Sequence, residues 1–203
     1  YADGKLNADK NTFEITFAAK NELFGKRSAG SPFNVYAPGK YQLHQMKMAD
    51  EVKNWNYAVK AGSELKNEWP LKNFENNLYY LRVYGPNGFF REFKGDANDP
   101  NILVEFEYER MKNSSNKLSG NVIISLKNLS GKSQTIYIEE KAYQKGIRTI
   151  SLNKNDTATE ILNLKKSFGW YDFTIKAKGF NSFETRYAGR VETGDHSKSD
   201  PFM

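Results

Sequence analysis

Leu78-Tyr79-Tyr80-Leu81-Arg82-Val83-Tyr84, then Gly85-Pro86-Asn87-Gly88, then Phe89-Phe90-Arg91-Glu92-Phe93-Lys94-Gly95 is the stretch on which the fold turns. Leu81 and Val83 flank Arg82 with the period of two that marks a half-buried strand. Four turn residues follow. Proline presets φ at the second turn position, and Asn-Gly tolerates the positive φ that tight turns need. The stretch therefore reads as a β-hairpin. The same order recurs downstream as Trp170-Tyr171-Asp172-Phe173-Thr174-Ile175, a loop around Gly179-Phe180-Asn181-Ser182, and Tyr187-Ala188-Gly189. Both copies run aromatic, strand, turn, strand, aromatic-x-Gly, with a second loop about two residues longer. Phe93 and Tyr187 are expected at equivalent buried positions.

Further strands show the same alternation. Phe13, Ile15 and Phe17 alternate with Glu14 and Thr16; Val104, Phe106 and Tyr108 alternate with Glu105, Glu107 and Glu109. Val122/Ile124/Leu126, Ile136/Ile138 and Phe173/Ile175 behave likewise. Phe13/Ile15/Phe17 corresponds to Val122/Ile124/Leu126 in the repeat. Copies roughly 95 to 110 residues apart are too long for solenoid units and fit tandem domains. Gln45 to Lys53 is the best short helical candidate. The pattern predicts an all-β chain of two tandem β-sandwich domains of immunoglobulin-like kind. Their expected bounds are 1–97 and 98–203, joined at Gly95-Asp96-Ala97-Asn98-Asp99-Pro100, a polar run with glycine and proline.

Composition narrows the function. Aromatics make up 14% of 203 residues, enough to build a packed core rather than a disordered chain. A mean hydropathy of -0.74, with no apolar run near the length of a span, excludes a transmembrane helix. With 0 cysteines there are no disulfides, thiolate nucleophiles or cysteine metal sites. The net charge of +6 is spread along the chain, its longest basic runs being pairs such as Lys26-Arg27 and Lys165-Lys166. That describes a solvated basic surface, with weak attraction to anionic membranes, rather than the charged stripe of a nucleic-acid binder. The chain begins at Tyr1 and reads as a segment of a longer protein.

Residues that carry chemistry are few. His196 lies in the polar tail Asp195-His196-Ser197, which is hard to desolvate, and His44 sits beside Tyr41, Leu43 and Met46. Glu105, Glu107 and Glu109 read as a solvated strand face rather than a glycosidase pair. Asp96, Asn98 and Asp99 offer oxygen ligands to a hard cation, but the loop lacks the glycine and distal glutamate of an EF-hand, and a turn-rich linker explains them better. The glycines around Gly85 and Gly88 match no nucleotide-binding motif. Aromatics are the other route. Trp55, Tyr57 and Trp69 can stack on sugars, cage a quaternary ammonium by cation–π attraction, or fill the core. Phe89 and Phe90 follow a tight turn and can reach a lipid interface, although alternation allows at most one of them outward.

Gly30-Ser31-Pro32-Phe33-Asn34-Val35-Tyr36, Asn54-Trp55-Asn56-Tyr57-Ala58-Val59 and Trp69-Pro70-Leu71 resemble the C-terminal region of bacterial phospholipases C of the phosphatidylcholine-preferring, hemolytic and non-hemolytic type. Residues 80–95 resemble that family's most distinctive stretch, and residues 187–203 its C-terminal end. The resemblance runs in order over nearly the whole chain and implies a multi-domain parent. In such a parent an N-terminal α/β catalytic domain, related to alkaline-phosphatase-type hydrolases, cleaves phospholipid to diacylglycerol and a phospho-headgroup. The resemblance also implies export, so a secreted or periplasmic location. No catalytic or metal-binding motif of the family has a counterpart here. No catalytic residue, cofactor or metal ligand is therefore assigned, and the fragment is not expected to be an enzyme. Its expected partners are the N-terminal phospholipase C catalytic domain of the same chain and a phospholipid membrane surface, with no nucleic acid. Phe89, Phe90, Trp55, Tyr57 and Trp69 are the interface candidates. A carbohydrate- or surface-binding β-sandwich module is the other reading.

Overall fold

The computed structural model describes residues 1–43, 50–143, 146–196 and 198–201, excluding the side chains of 115 and 116. Every stretch with period-two alternation is a strand. Among the described residues the remaining regular structure consists of single 3-10 turns. The chain divides into two compact units, residues 1–99 with 180–185, and residues 100–179 with 186 onward.

Unit 1 contains β1 (Ala2–Leu6), β2 (Thr12–Ala18), β3 (Ser31–Tyr41), β4 (Asp50–Val59), β5 (Glu64–Pro70), β6 (Tyr79–Tyr84) and β7 (Phe90–Gly95). Its strands neighbour one another as β1-β2-β5 and as β4-β3-β6-β7. The predicted helical candidate fails where it can be seen. Residues 44–49 lie outside the described residues, and Asp50 to Lys53 open β4, where Val52 pairs with Pro38 and Lys53 with Ala37. Ladder hydrogen bonds to β3 outweigh a weak local preference.

The second unit holds β8 (Ile102–Met111), β9 (Ser114–Asn128), β10 (Gln134–Glu140), β11 (Gly146–Leu152), β12 (Thr157–Leu162), β13 (Trp170–Ala177) and the later part of β14 (Phe180–Arg190). Here the neighbours are β8-β9-β12 and β11-β10-β13-β14. Adding seven to each strand label of unit 1 reproduces this order. The third strand of each copy leaves the first group, and the fifth returns to it. This is the crossed connectivity of an immunoglobulin-like sandwich.

Alternation supplies each core. In β2, Phe13, Ile15 and Phe17 are buried, and in β6 Tyr79, Leu81 and Val83. Phe13 stacks on Tyr79 at 4.2 Å and meets Phe93 at 5.4 Å, while Phe17 meets Phe33 at 5.3 Å. These rings join the two strand groups of unit 1 face to face. Phe106 plays the same part in unit 2, lying 5.2 Å from both Tyr171 and Tyr187. Phe93 and Tyr187 are both buried, as the repeat predicts.

The two hairpins differ from their sequence reading. In the first, Asn87 and Gly88 hold φ of 57° and 75°, and the Phe89 N–H donates to the Pro86 carbonyl at 3.1 Å. Two central residues at positive φ are the type I′ pattern, whose twist suits paired strands. Proline therefore precedes the central pair instead of occupying it. In the second hairpin, Lys178 and Gly179 separate β13 from β14, with Gly179 at φ 84°. The extra residues lengthen the strands, and Phe180, Asn181 and Ser182 belong to β14 rather than to a loop.

Candidate functional site

The outward face of β3, β6 and β7 carries a row of aromatic side chains. Since Tyr79, Leu81 and Val83 point inward, Tyr80, Arg82 and Tyr84 point outward. Pairing of Tyr84 with Phe90 and of Tyr36 with Arg82 sets their neighbours. The result is a row of rings, Tyr36 to Tyr84 at 5.5 Å and Tyr84 to Phe90 at 5.1 Å. Tyr84 is 40% exposed.

Below this row lies a charged cluster. Arg82 Nε donates to Glu92 Oε2 at 2.7 Å, the Tyr80 hydroxyl donates to the same oxygen at 2.9 Å, and Lys94 Nζ lies 2.8 Å from Oε1. Burial alone pushes the Glu92 carboxyl up, but the hydrogen bonds from Lys94, Arg82 and Tyr80 outweigh it and hold the group below its ordinary value. Arg82 and Lys94 also approach the Tyr80 ring, at 5.0 and 4.7 Å from its centroid. Glu92 is thus a satisfied anion rather than a base awaiting a substrate.

The five predicted interface residues separate. Phe90 belongs to the outward row. Phe89 turns inward, edge-on to Phe33 at 5.8 Å, with the Arg91 guanidinium 4.1 Å from its ring centroid. Trp69 is corrected to a core residue. It is 1% exposed, because β5 pairs it with the inward-facing Phe13. Trp55 and Tyr57 are half-buried on the inner side of β4. Trp55 meets Trp69 at 5.5 Å and Tyr41 at 5.1 Å, and Tyr57 stacks on Phe17 at 4.8 Å. Burial pushes the Tyr57 hydroxyl up to about 12. These rings seal the margin of the core. Sequence reasoning missed Tyr36 and Tyr84, although Tyr84 shares the outward parity of Tyr80 and Arg82.

The linker carboxylates are spent internally. Asp99 accepts a hydrogen bond from the Tyr79 hydroxyl at 2.5 Å and one from the Asp96 backbone N–H at 2.9 Å. Asp96 Oδ1 accepts from the Asn98 N–H at 2.6 Å. Among the described residues no cluster of three or more acidic or histidine side chains could hold a metal ion. His196 is exposed in the tail, and His44 lies outside the described residues.

Known proteins locate this architecture. A sequence model of the family described as bacterial phospholipase C, C-terminal domain, matches residues 4–96 and again residues 102–190. A non-hemolytic phospholipase C of Burkholderia pseudomallei is 26% identical over 207 residues, covering 98% of this chain and 26% of that protein. A hemolytic phospholipase C of Pseudomonas aeruginosa is 34% identical over 135 residues, 63% of this chain and 17% of that protein. The non-hemolytic phospholipase C of the same organism is 31% identical over 135 residues, 62% and 18% respectively. The chain thus spans about a quarter or less of the length of these curated relatives. A solved red sea bream transglutaminase aligns over 88% of this chain and 28% of that one, at 12% identity and a TM-score of 0.30. These relatives do not favour the carbohydrate-binding reading.

Proposed function

Because this chain belongs to the bacterial phospholipase C C-terminal domain family, we propose that it is the non-catalytic accessory region of a secreted or periplasmic phospholipase C. The catalytic region lies N-terminal in the same polypeptide and hydrolyses phosphatidylcholine-type lipids to diacylglycerol and a phospho-headgroup. This chain contributes two tandem sandwich copies, 1–97 and 98–203, a division supported by the two separate family matches. The row Tyr36, Tyr84 and Phe90 carries the reading. It is an outward aromatic strip on a rigid sheet, bordered by a charged cluster that needs no further partner. Such a strip supplies the aromatic anchors on which protein interfaces depend. We assign it to docking of the catalytic region.

The test is reconstitution. The catalytic region is expressed separately and mixed with this chain; co-elution and a raised melting temperature of the catalytic region are expected. The double variant Tyr84→Ser, Phe90→Ser should weaken association about tenfold or more. Absence of association, or association indifferent to the double variant, overturns the assignment.

A further inference from the structure

The two copies share a peculiar turn just before β6 and β13, and they fill it differently. In unit 1 it holds Asn76 and Asn77 at φ 56° and 58°. In unit 2 the residues at the same distance before the equivalent tyrosine are Phe168 and Gly169, at φ 55° and 86°. Both pairs lie at positive φ, but the turns close differently: the Asn77 N–H donates to the Phe74 carbonyl and the Gly169 N–H to the Leu164 carbonyl. Asparagine and glycine accept the left-handed region readily, whereas a bulky aromatic there is an outlier. Phe168 is nonetheless 40% exposed. The phenylalanine is thus partly exposed at a position that its own repeat fills with asparagine.

Its surroundings are basic. Lys165 and Lys166 form the preceding 3-10 turn, both exposed, with no acidic residue in that turn. Lys198 Nζ lies 4.5 Å from the Phe168 ring centroid, and Arg190 lies over the half-buried Trp170 at 5.7 Å. The Trp170 indole N–H donates to the Lys198 carbonyl at 3.2 Å, which fixes the tail beside the turn. Asp200, carried by the same tail, accepts a hydrogen bond from the Tyr143 hydroxyl at 2.8 Å. A partly exposed aromatic beside Lys198, on a turn that also carries the exposed Lys165 and Lys166, matches the chemistry of a bilayer interface: ring at the acyl–headgroup boundary, cations against phosphates.

We propose that the Leu164–Gly169 turn of unit 2, with Lys198, is a membrane-contact element that seats Phe168 in the interface of a phospholipid bilayer containing anionic lipid. The choice of a lipid surface over an acidic protein rests on the phospholipase reading, but the element is distinct from the Tyr36–Tyr84–Phe90 row. The test uses the chain itself in cosedimentation with phosphatidylcholine vesicles, with and without phosphatidylglycerol, at low and high salt. Phe168→Asn places at that φ the residue unit 1 carries there, and asparagine tolerates the left-handed region, so the fold is retained. Its partition onto vesicles should fall about tenfold. Lys165→Glu with Lys166→Glu should abolish the salt-sensitive gain on anionic vesicles. Binding of Phe168→Asn equal to that of the parent chain, or no binding of the parent chain to anionic vesicles at low salt, overturns the proposal. Phe168→Asn should leave reconstitution with the catalytic region unchanged, so failure of docking and failure of membrane contact are read separately.

Discussion

Gly95 and Gly189 show how much one missing Cβ decides in both copies. A Cβ on Gly189 would lie 2.7 Å from the Tyr171 hydroxyl, and one on Gly95 would overlap the Tyr79 hydroxyl and the Asp99 carboxylate. Each tyrosine reaches across its partner strand because that strand offers bare backbone. Gly189→Ala should destabilise unit 2 by about 1–3 kcal/mol, since the buried ring has nowhere to retreat; chemical denaturation checks it. Asp99 has a pH signature of its own. Burial, the largest influence, pushes its carboxyl from 3.8 up to about 6, against the opposing hydrogen bonds from Tyr79 and the Asp96 backbone. Below the unfolded value both states are protonated. As pH rises from there to about 6 the unfolded state has lost its proton while the folded state keeps it. Stability therefore declines through this window, by on the order of 2–3 kcal/mol, and levels off above it. Asp99→Asn should remove that decline, its amide donating to Tyr79 and its carbonyl accepting from Asp96. Denaturation midpoints between pH 4 and 7 that fall equally in both proteins would assign the titration elsewhere. The sequence marked Asp99 as a linker residue; its partner Tyr79, 20 positions away, became visible only in three dimensions.

At the scale of elements, the hairpin at Asn87-Gly88 was readable because turn chemistry is local. What local chemistry left open was which two of four turn residues sit at the centre, since proline can also precede a type I′ pair. Gly88→Ala should cost about 1 kcal/mol, because alanine resists the φ of 75°. Asn87→Gly should be close to neutral by the same reasoning. A larger loss for Asn87→Gly than for Gly88→Ala in thermal unfolding would contradict this account. The second hairpin was misjudged for a related reason. Phe180-Asn181-Ser182 contains loop-forming residues, yet pairing within the sheet recruits them into β14.

At the scale of the whole molecule, the chain carries two separate cores, one around Phe13, Tyr79 and Phe93, the other around Phe106, Tyr171 and Tyr187. Phe93→Ala and Tyr187→Ala each remove a buried ring and should cost about 3–5 kcal/mol. Phe93 packs on Phe13 and Tyr187 on Phe106 and Phe173, so the double variant should lose the sum to within about 0.5 kcal/mol. Strong non-additivity would mean that the cores are coupled. The chain alone should not hydrolyse a p-nitrophenyl phosphocholine analogue. Turnover abolished by one substitution within the chain would overturn its accessory role.

Alternation, turn residues and the internal repeat determined the all-β class, the strands and the buried phenylalanines, because side-chain parity follows from covalent geometry along a strand. The same parity predicted that Phe89 and Phe90 could not both face outward. Tertiary structure alone decided which outward residues become neighbours. Tyr36, Tyr84 and Phe90 come together through strand register, a property of pairing between segments about 50 residues apart rather than of any one segment. It also decided that Trp69 is interior, and that Phe168 holds a backbone shape its repeat gives to asparagine. The burial of Trp69 follows from the strand it pairs with, and the φ of Phe168 from the turn that closes onto Leu164, neither of which adjacent residues specify.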